Sequence, residues 1–221
     1  MTITSLTDAE LNELSESFES RPASEVVEWA VANFGGELCL TTSLTDAVLV
    51  DVALSVDPGV EVVFIDTGFH FPETMDILDE VKRRYSPNLR VLRSAKPLDD
   101  LWRRDTDACC AVRKVAQLDA ALEGKQAWMS GLRRADAPNR ANTPIIQRDR
   151  RGLVKVNPLA NWSDEYVDRY IAERNVPVNA LVAQGFPSVG CWPCTRAIAE
   201  GEDPRAGRWA GTSKTECGLH L

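Results

Sequence analysis

The fold is decided by a stretch in which an apolar strand runs into a polar turn and a proline-initiated helix: Glu61-Val62-Val63-Phe64-Ile65-Asp66-Thr67-Gly68-Phe69-His70-Phe71-Pro72. Its first five residues are typical of a strand buried on both faces, and Pro72 suits the first turn of a helix that we predict to continue to Tyr85. The same order of strand, turn and helix occurs just before it, over residues 37–42, 43–46 and 47–56. This repetition predicts an α/β fold, a mainly parallel sheet with helices on both faces, whose ligands bind at the carboxyl ends of the strands.

The flanking sequence adds further elements to this unit. Thr7 and Glu10 form a capping box before a helix over residues 8–19, and a second helix over 24–34 stops at Gly35. We predict strands at 89–93 and 126–130, a helix capped by Asp107 that reaches residue 123, a hairpin of 145–148 with 153–157, and a helix from Ser163 to Arg174. Pro, Gly and short polar runs dominate the last part of the chain. We therefore expect one ligand-binding α/β domain over 1–185 and an irregular carboxyl-terminal arm over 186–221.

The composition narrows the class of protein. With 221 residues, 44% apolar and 26% charged, the chain can bury the core of one globular domain. A net charge of −8 argues against nucleic-acid binding, which needs a basic surface. No apolar run approaches the length of a membrane span, and no basic segment followed by an apolar run opens the chain, so we expect a cytoplasmic protein without membrane contact. In a reducing compartment the six cysteines are expected to be ligands or catalysts, although a disulfide between Cys109 and Cys110 stays open.

Four of the cysteines form two pairs that predict a metal centre. Cys109 and Cys110 are neighbours, and Cys191 and Cys194 form a C-x-x-C motif. Four thiolates hold zinc or an iron–sulfur cluster, and the spacing does not separate these two centres. Taken alone, the C-x-x-C motif could instead be a redox dithiol, and the two adjacent cysteines could instead be residues of the hydrophobic core. Cys39 lies in an apolar strand and reads as a core residue.

Cys217 is the thiol that remains. It lies in Glu216-Cys217-Gly218-Leu219-His220-Leu221, and we expect this terminus to be mobile, so that the thiol can reach a substrate and then a second protein. A thiolate is the nucleophilic form, and His220 or an incoming arginine would lower the pKa of the thiol. The alternative is an inert tail cysteine.

Candidate anion-binding groups occur in two places. Residues 132–155 contain seven basic and two acidic residues, which suits a small anion, although a solvated loop with incidental arginines is the other reading. The turn 41–46 places hydroxyls and backbone N–H groups before a helix, where a phosphate or sulfate would bind, or Thr45 merely caps that helix. Asp66, at a strand end, either contacts a ribose or base or caps the following turn.

Six motifs together resemble the assimilatory adenylyl-sulfate reductases, whose family also contains the phosphoadenylyl-sulfate reductases. The motifs are Cys109-Cys110-Ala111-Val112-Arg113-Lys114, Gly131-Leu132-Arg133-Arg134-Ala135-Asp136, Val156-Asn157-Pro158-Leu159, Gly190-Cys191-Trp192-Pro193-Cys194-Thr195, Gly207-Arg208-Trp209 and the Cys217 tail. The resemblance runs from about residue 24 onward and implies a Rossmann-like adenine nucleotide alpha-hydrolase fold. The turn Ser43-Leu44-Thr45 departs from the commoner Ser-Gly-containing loop of the family.

The resemblance also implies residue roles. Cys217 would attack adenylyl sulfate, AMP would leave, and thioredoxin would release sulfite from the S-sulfonate. The metal ligands would be Cys109, Cys110, Cys191 and Cys194, holding a four-iron, four-sulfur (4Fe-4S) cluster, with Lys114 linking cluster and substrate and His220 beside the nucleophile. Substrate contacts would come from Ser43, Asp46, Asp66, Arg133, Arg134, Arg140, Arg205 and Arg208. We expect Trp192 to shield the cluster.

Partners and competing functions follow from the same resemblance. The chain ends without a fused thioredoxin-like module, so we expect a separate thioredoxin as electron donor, and we expect a homo-oligomer. A reductase of 3'-phosphoadenylyl sulfate is the nearest alternative, although members restricted to that substrate usually lack both cysteine pairs. A non-catalytic iron–sulfur or zinc sensor that binds nucleotide, and an ATP-cleaving thiolation enzyme of the same fold, are further alternatives; the missing Gly-Gly pyrophosphate loop tells against the latter.

Overall fold

The sheet is mainly parallel, as predicted. The computed structural model describes residues 6–212 and 214–219, and within them six strands form one sheet in the order β3-β2-β1-β4-β6-β5. The strands are β1 (Leu38–Thr42), β2 (Glu61–Asp66), β3 (Asn88–Arg93), β4 (Ala127–Ser130), β5 (Ile146–Arg148) and β6 (Val154–Val156). All neighbouring pairs are parallel except β5 with β6, which form the predicted hairpin. The α/β class expected from the repeated strand, turn and helix is therefore confirmed.

The helices follow the sequence signals closely. They are α1 (Asp8–Ser17), α2 (Ala23–Phe34), α3 (Val48–Val56), α4 (Pro72–Tyr85), α5 (Leu101–Arg104), α6 (Thr106–Cys110), α7 (Ala116–Leu122) and α8 (Asp164–Arg174). The capping box of Thr7 and Glu10 forms, and Ser163 caps α8 by accepting a hydrogen bond from the backbone N–H of Tyr166. None of the helices in the described residues combines the length and apolar composition that a membrane crossing needs.

The segment that carries the neighbouring cysteines differs from the prediction. Asp105, not Asp107, caps α6, because its side chain accepts a hydrogen bond of 2.8 Å from the backbone N–H of Ala108. The helix is also not continuous: α6 ends at Cys110, and a π-helical turn over Ala111–Val115 separates it from α7. A π turn inserts an extra residue and redirects the side chains around it. Such a turn would supply the adaptable backbone that two adjacent cysteine ligands, as predicted from the sequence, would require.

The core lies on both faces of the sheet. The larger cluster joins α2, α3, α4 and α8 to one face, and a smaller cluster around Leu118 and Trp128 packs α7 against the other. One buried carboxylate ties three helices together: Asp51 of α3 accepts hydrogen bonds from the hydroxyls of Tyr85 (3.0 Å) and Tyr170 (2.7 Å) and pairs with Arg174.

The two edges of the sheet are covered differently. Beside β5 lies α1, whose Ser15 hydroxyl accepts hydrogen bonds from the backbone N–H groups of Ile145 (2.9 Å) and Ile146 (3.2 Å). The other edge strand, β3, carries Arg90 and Arg93. An exposed edge strand can form hydrogen bonds with a strand of a second molecule, so what lies beside each edge affects whether the protein aggregates.

The described residues from 186 to 219 are irregular, as expected, apart from a short 3-10 turn at Trp192–Cys194. Isolated bridges join His70 to Cys191 and Thr195 to Arg208, so this arm packs on the body and on itself. A division into two units at residue 185 stays a prediction.

Candidate active site

A large cavity opens at the carboxyl ends of β1, β2 and β4, where the sequence predicted a ligand. Its volume is about 620 Å³, within the range of nucleotide-sized sites. The walls come from the turn after β1, from Thr67 and His70 after β2, from the loop after β4, and from the arm. Strand ends from one parallel sheet thus converge on a single site, and the carboxyl-terminal arm closes it.

The turn after β1 forms one wall, to which Ser43 and Asp46 contribute. Leu44 is buried and has a left-handed backbone (φ 59°), a conformation that costs a non-glycine residue about 1–2 kcal/mol. Asp46 accepts a hydrogen bond of 2.9 Å from the backbone N–H of Val48, and burial raises the pKa of its carboxyl group. The turn therefore adopts a left-handed conformation at Leu44, which a glycine would adopt without this cost.

Five cationic side chains line the same cavity: Lys114, Arg133, Arg140, Arg205 and Arg208. Arg133 pairs with Asp136 (3.0 Å) and Asp164 (2.8 Å). Burial lowers the pKa of Arg205 to about 10, and the neighbouring Arg140 acts in the same direction. Carboxylates of the same cavity compensate part of this charge, because Asp136 and Asp164 pair with Arg133 and Glu216 pairs with Arg140 and Arg205. Lys114 and Arg208 form no ion pair among the described residues, so their charge is available to a bound anion.

Arg208 is fixed by three contacts. One terminal nitrogen donates to the Ser188 hydroxyl (3.1 Å) and to the Val189 carbonyl (3.2 Å), while its guanidinium lies 4.7 Å from the centre of the Trp209 ring. The guanidinium occupies the space where residue 190 has no side chain, since a Cβ on Gly190 would lie 2.4 Å from an arginine nitrogen. Its buried Nε has no acceptor among the described residues.

Three of the residues expected at the site are not brought to it by the described structure. Asp66 does not line the cavity: its carboxylate accepts from the backbone N–H of Gly68 (2.8 Å) and pairs with Arg93, which is the turn-capping alternative. Arg134 points away and forms a bidentate pair with Glu19, in the turn that follows α1. His220 lies outside the described residues. Substrate contacts by Asp66 and Arg134, and a catalytic role for His220, stay predictions.

The four paired cysteines line a second, smaller cavity beside the first. Cys109, Cys110, Cys191 and Cys194 share it with Phe69, Trp102 and Trp209. Burial raises the pKa of the Cys110 thiol to about 11 and raises the pKa values of Cys109 and Cys194 as well. In residues 6–212 and 214–219, no three His, Cys, Asp or Glu side chains are placed to hold one metal ion. The donor set is nonetheless four soft sulfur atoms in an apolar enclosure, the surroundings of an iron–sulfur cluster.

Lys114 connects the two cavities because it lines both. Burial alone would lower the pKa of its ammonium group, but Cys191 and Cys217 nearby outweigh this effect and the pKa is raised. Among the described residues no carboxylate pairs with Lys114. Its charge is therefore available to thiolates on one side and to an anion on the other.

Cys217 is docked rather than free. Its thiol is only 8% exposed, lines the large cavity and packs against Cys110 and Trp209. The expectation of an unanchored terminal thiol is therefore not what the structure describes, because ion pairs of the arm hold the segment in place. Lys214 pairs with Asp107, and Glu216 pairs with two arginines of the cavity wall.

Sequence reasoning missed several residues of the site. The Thr67 hydroxyl lies 3.3 Å from the Cys191 sulfur, and its position after a strand end could have indicated it. His70 lines the large cavity, with its Nε2 3.0 Å from the Ile65 carbonyl. Ser188, which orients Arg205 and Arg208, gave no signal in the sequence. Trp192, which was expected to shield the cysteines, does not line the small cavity and is 49% exposed. The aromatic side chains that line this cavity are Phe69, Trp102 and Trp209.

Comparisons with known proteins agree with this geometry. Residues 37–197 match the phosphoadenosine phosphosulfate reductase domain. The chain is 46% identical to the adenosine 5'-phosphosulfate reductase of Streptomyces coelicolor, covering 97% of this chain and 96% of the relative, and 45% identical to that of Mycolicibacterium smegmatis, covering 99% and 98%. Among solved structures, phosphoadenylyl-sulfate reductase from Candida auris in a phosphate complex is 30% identical with a TM-score of 0.77, covering 88% of this chain and 98% of that one.

Proposed function

Because this chain belongs to the phosphoadenosine phosphosulfate reductase family, we propose that it reduces adenylyl sulfate to sulfite and AMP with electrons from thioredoxin. It is thus an oxidoreductase that acts on a sulfur group in sulfate assimilation. The curated relatives that match over nearly the whole chain carry the name adenosine 5'-phosphosulfate reductase, which favours the nucleotide without a 3'-phosphate.

One observation carries the proposal. The Cys217 thiol lies in the wall of a nucleotide-sized cavity that also contains Lys114 and Arg208, two cations without a carboxylate partner among the described residues. Adenylyl sulfate brings one negative charge on its phosphate and one on its sulfate, and these charges repel an approaching thiolate. Cationic side chains around the reacting sulfur offset that repulsion and stabilise the leaving phosphate.

In the first step the Cys217 thiolate attacks the sulfate sulfur. An S–S bond forms, the S–O bond to the phosphate breaks, and AMP leaves with the electron pair. Lys114 and Arg208 hold their charge near the reacting centre, and the buried position of Cys217 excludes water that would compete as nucleophile.

In the second step thioredoxin supplies two electrons. One thioredoxin thiolate attacks the Cys217 sulfur, and sulfite leaves with the electron pair of the broken S–S bond. The second thioredoxin thiol then releases Cys217 and closes the thioredoxin disulfide. Because Cys217 is buried in the docked arm, this step requires the arm to open.

The four cysteines of the small cavity would hold a 4Fe-4S cluster: Cys109, Cys110, Cys191 and Cys194. When bound, the cluster fixes the two cysteine segments to each other and polarises the adjoining site without changing redox state during turnover. The donor set fits, because buried thiolates need compensating positive charge and both Lys114 and iron provide it.

Further properties belong to the same proposal. A nucleotide-binding unit over residues 1–185 would carry the cavity, and the arm over 186–221 would carry the C-x-x-C and the nucleophile. The enzyme would be a cytoplasmic homo-oligomer with a separate thioredoxin, and Ser43, Asp46 and the lining arginines would contact the nucleotide.

The test is mass spectrometry of the anaerobically purified protein mixed with adenylyl sulfate in the absence of thioredoxin. We expect one added SO₃ group, located on Cys217 by peptide mapping and released as sulfite when thioredoxin is added. Cys217→Ser should show no adduct and no turnover.

Cys39→Ala is the matched control. Cys39 is fully buried, and burial raises the pKa of its thiol to about 12, so its removal should leave the adduct unchanged. An adduct that forms only from 3'-phosphoadenylyl sulfate would reassign the substrate. Normal sulfite release by Cys217→Ser would overturn the mechanism.

A further inference from the structure

Glu216, the neighbour of the nucleophile, bridges two arginines of the cavity wall. Its carboxylate accepts hydrogen bonds from Arg140 (2.7 Å) and Arg205 (3.3 Å), and the three side chains are only 8%, 12% and 13% exposed. Arg205 also donates to the backbone carbonyl of Thr215 (3.1 Å). Charged groups this well buried and paired constrain geometry much more strongly than pairs on the surface.

The two arginines come from different parts of the chain. Arg140 belongs to the loop that follows β4, in the body of the protein, whereas Arg205 belongs to the middle of the arm. One carboxylate therefore fastens the last part of the arm both to the body and to the segment that carries the C-x-x-C. Since Glu216 and Cys217 are adjacent, this bridge also fixes where the thiol lies.

The bridge admits two roles. Glu216 could occupy an anion site and leave when the substrate arrives, or it could remain as a permanent anchor. The charges favour the anchor, because cationic capacity remains in the cavity while Glu216 is bound. Lys114 has no carboxylate partner among the described residues, and the buried Nε of Arg208 has no acceptor there.

We infer that Glu216 is a positioning residue whose bridge to Arg140 and Arg205 holds the arm closed and aims Cys217 at the substrate, and that the bridge persists when the nucleotide is bound. The inference rests on the proposed function, since it assigns Cys217 as the nucleophile. The bridge opens only when the S-sulfonated arm moves out to meet the reductant.

Two substitutions at Glu216 test separately the length and the negative charge of its side chain. Glu216→Gln removes the negative charge, whereas Glu216→Asp keeps the charge but is one methylene too short to span both arginines. Glu202→Gln is the control, because Glu202 is a carboxylate of the same arm that pairs with Arg196 away from the cavity. All variants are prepared as cluster-bearing protein, and their melting temperatures and cluster absorbance are recorded first.

The first measurement needs no substrate. Hydrogen exchange of the amides of residues 214–219, together with the rate at which a neutral alkylating reagent modifies Cys217, reports how often the arm opens. Loss of one partner of a buried ion pair should raise both rates by about tenfold or more in Glu216→Gln and in Glu216→Asp, and leave them unchanged in Glu202→Gln. Faster alkylation in Glu216→Gln alone, without faster exchange, would mean that only the charge acts on the thiol and would overturn the inference.

The second measurement is single-turnover formation of the Cys217 adduct. We expect both Glu216 variants to form it roughly tenfold more slowly at saturating adenylyl sulfate, with the half-saturating concentration changed by less than about threefold. A tighter half-saturation in Glu216→Gln would identify the carboxylate as a stand-in for the substrate anion and would overturn the anchor. If the unsubstituted protein forms no adduct, the proposed function fails; if it does and the variants match it, only the role of Glu216 fails.

Discussion

At the scale of single residues, Gly190 controls where Arg208 can lie. The Arg208 guanidinium occupies the space of the missing Gly190 side chain and is held against Trp209 and Ser188. Gly190→Ala would place a methyl group 2.4 Å from an arginine nitrogen, so the guanidinium must leave its position. We expect the half-saturating concentration of adenylyl sulfate to rise roughly tenfold, the cost of one misplaced charge-assisted contact, as measured by initial sulfite release.

Gly36→Ala is the matched control for this substitution. A Cβ at Gly36 meets nothing within 4 Å, and its backbone is not left-handed. Its half-saturation should equal that of the unsubstituted protein. If Gly190→Ala also leaves half-saturation unchanged, Arg208 does not contact the nucleotide.

Individual residue roles could be predicted where chemistry is local and not where it depends on distant partners. The two cysteine pairs stood out in the sequence, and the structure places all four around one small cavity, while their role as metal ligands stays a prediction. The sequence could not tell that Arg133 lines the cavity and Arg134 does not, because Glu19, the partner of Arg134, comes close to it only in the folded chain. From the sequence, Asp66 could either contact a ligand or cap the following turn. In the folded protein its carboxylate points toward Arg93 on the neighbouring strand.

At the scale of elements, the first turn of α6 supports the neighbouring cysteines. Asp105→Ala removes the side chain that caps this helix, which costs about 1 kcal/mol and corresponds to roughly a fivefold shift in a local opening equilibrium. Because Cys109 and Cys110 lie at the end of the same short helix, we expect the absorbance of the proposed iron–sulfur cluster to bleach in air about fivefold faster.

Ser163→Ala provides the comparison, since it removes the cap of α8, a helix without cluster ligands. The two variants should lose similar stability in urea, but only Asp105→Ala should bleach faster. Equal bleaching rates would show that α6 does not govern retention of the cluster.

Element boundaries were predictable where caps and prolines mark them. Pro72–Tyr85 is correct at both ends, since Pro72 suits the start and the backbone of Ser86 is left-handed at the end. The cysteine segment was predicted less well, because Asp105 and Asp107 are equally good caps by composition. The π turn at Ala111–Val115 leaves no mark in the hydrophobic pattern; it depends on packing around the two cavities.

At the scale of the whole molecule, Asp51 links three helices and makes stability depend on pH. Burial alone would raise the pKa of its carboxyl group, but hydrogen bonds from Arg174, Tyr170 and Tyr85 outweigh burial, and the pKa is lowered. Because the pKa of Asp51 is lower in the folded state, its carboxylate stabilises the fold fully at pH values above the pKa of an unfolded aspartate, about 4. This stabilisation is lost as the pH falls from about 4 through the pKa of the folded state.

Asp51→Asn should therefore lower the free energy of unfolding by roughly 1–3 kcal/mol at pH 7, and the difference from the unsubstituted protein should shrink below about pH 4. Urea unfolding of both proteins at several pH values measures this difference in unfolding free energy. Loss of a bound cluster that affects both proteins equally does not change the difference. Asp79→Asn, which breaks an exposed pair with Lys82 on α4, should change little. A difference that is constant with pH would mean that the carboxylate is not the origin of the effect.

The overall architecture was largely predictable, whereas the closed arm was not. Alternating strands and helices determine a parallel sheet and the edge at which ligands bind, because these rules depend on local periodicity and chain connectivity. The docked position of Cys217 depends on pairs such as Arg140 with Glu216, which are 76 residues apart. No pattern within a short window of sequence encodes such a contact.

The covered edges of the sheet bear on how this protein behaves at high concentration. Neighbouring copies aggregate most readily by adding strand to strand, and a bare row of amides is the template for that growth. Ser15 already accepts hydrogen bonds from two such amides on one side, and on the other side the edge strand carries the exposed charged side chains of Arg90 and Arg93, which disfavour the addition of an apolar strand. We expect Ser15→Ala and Arg93→Val to promote fibril or precipitate formation well before they affect catalysis.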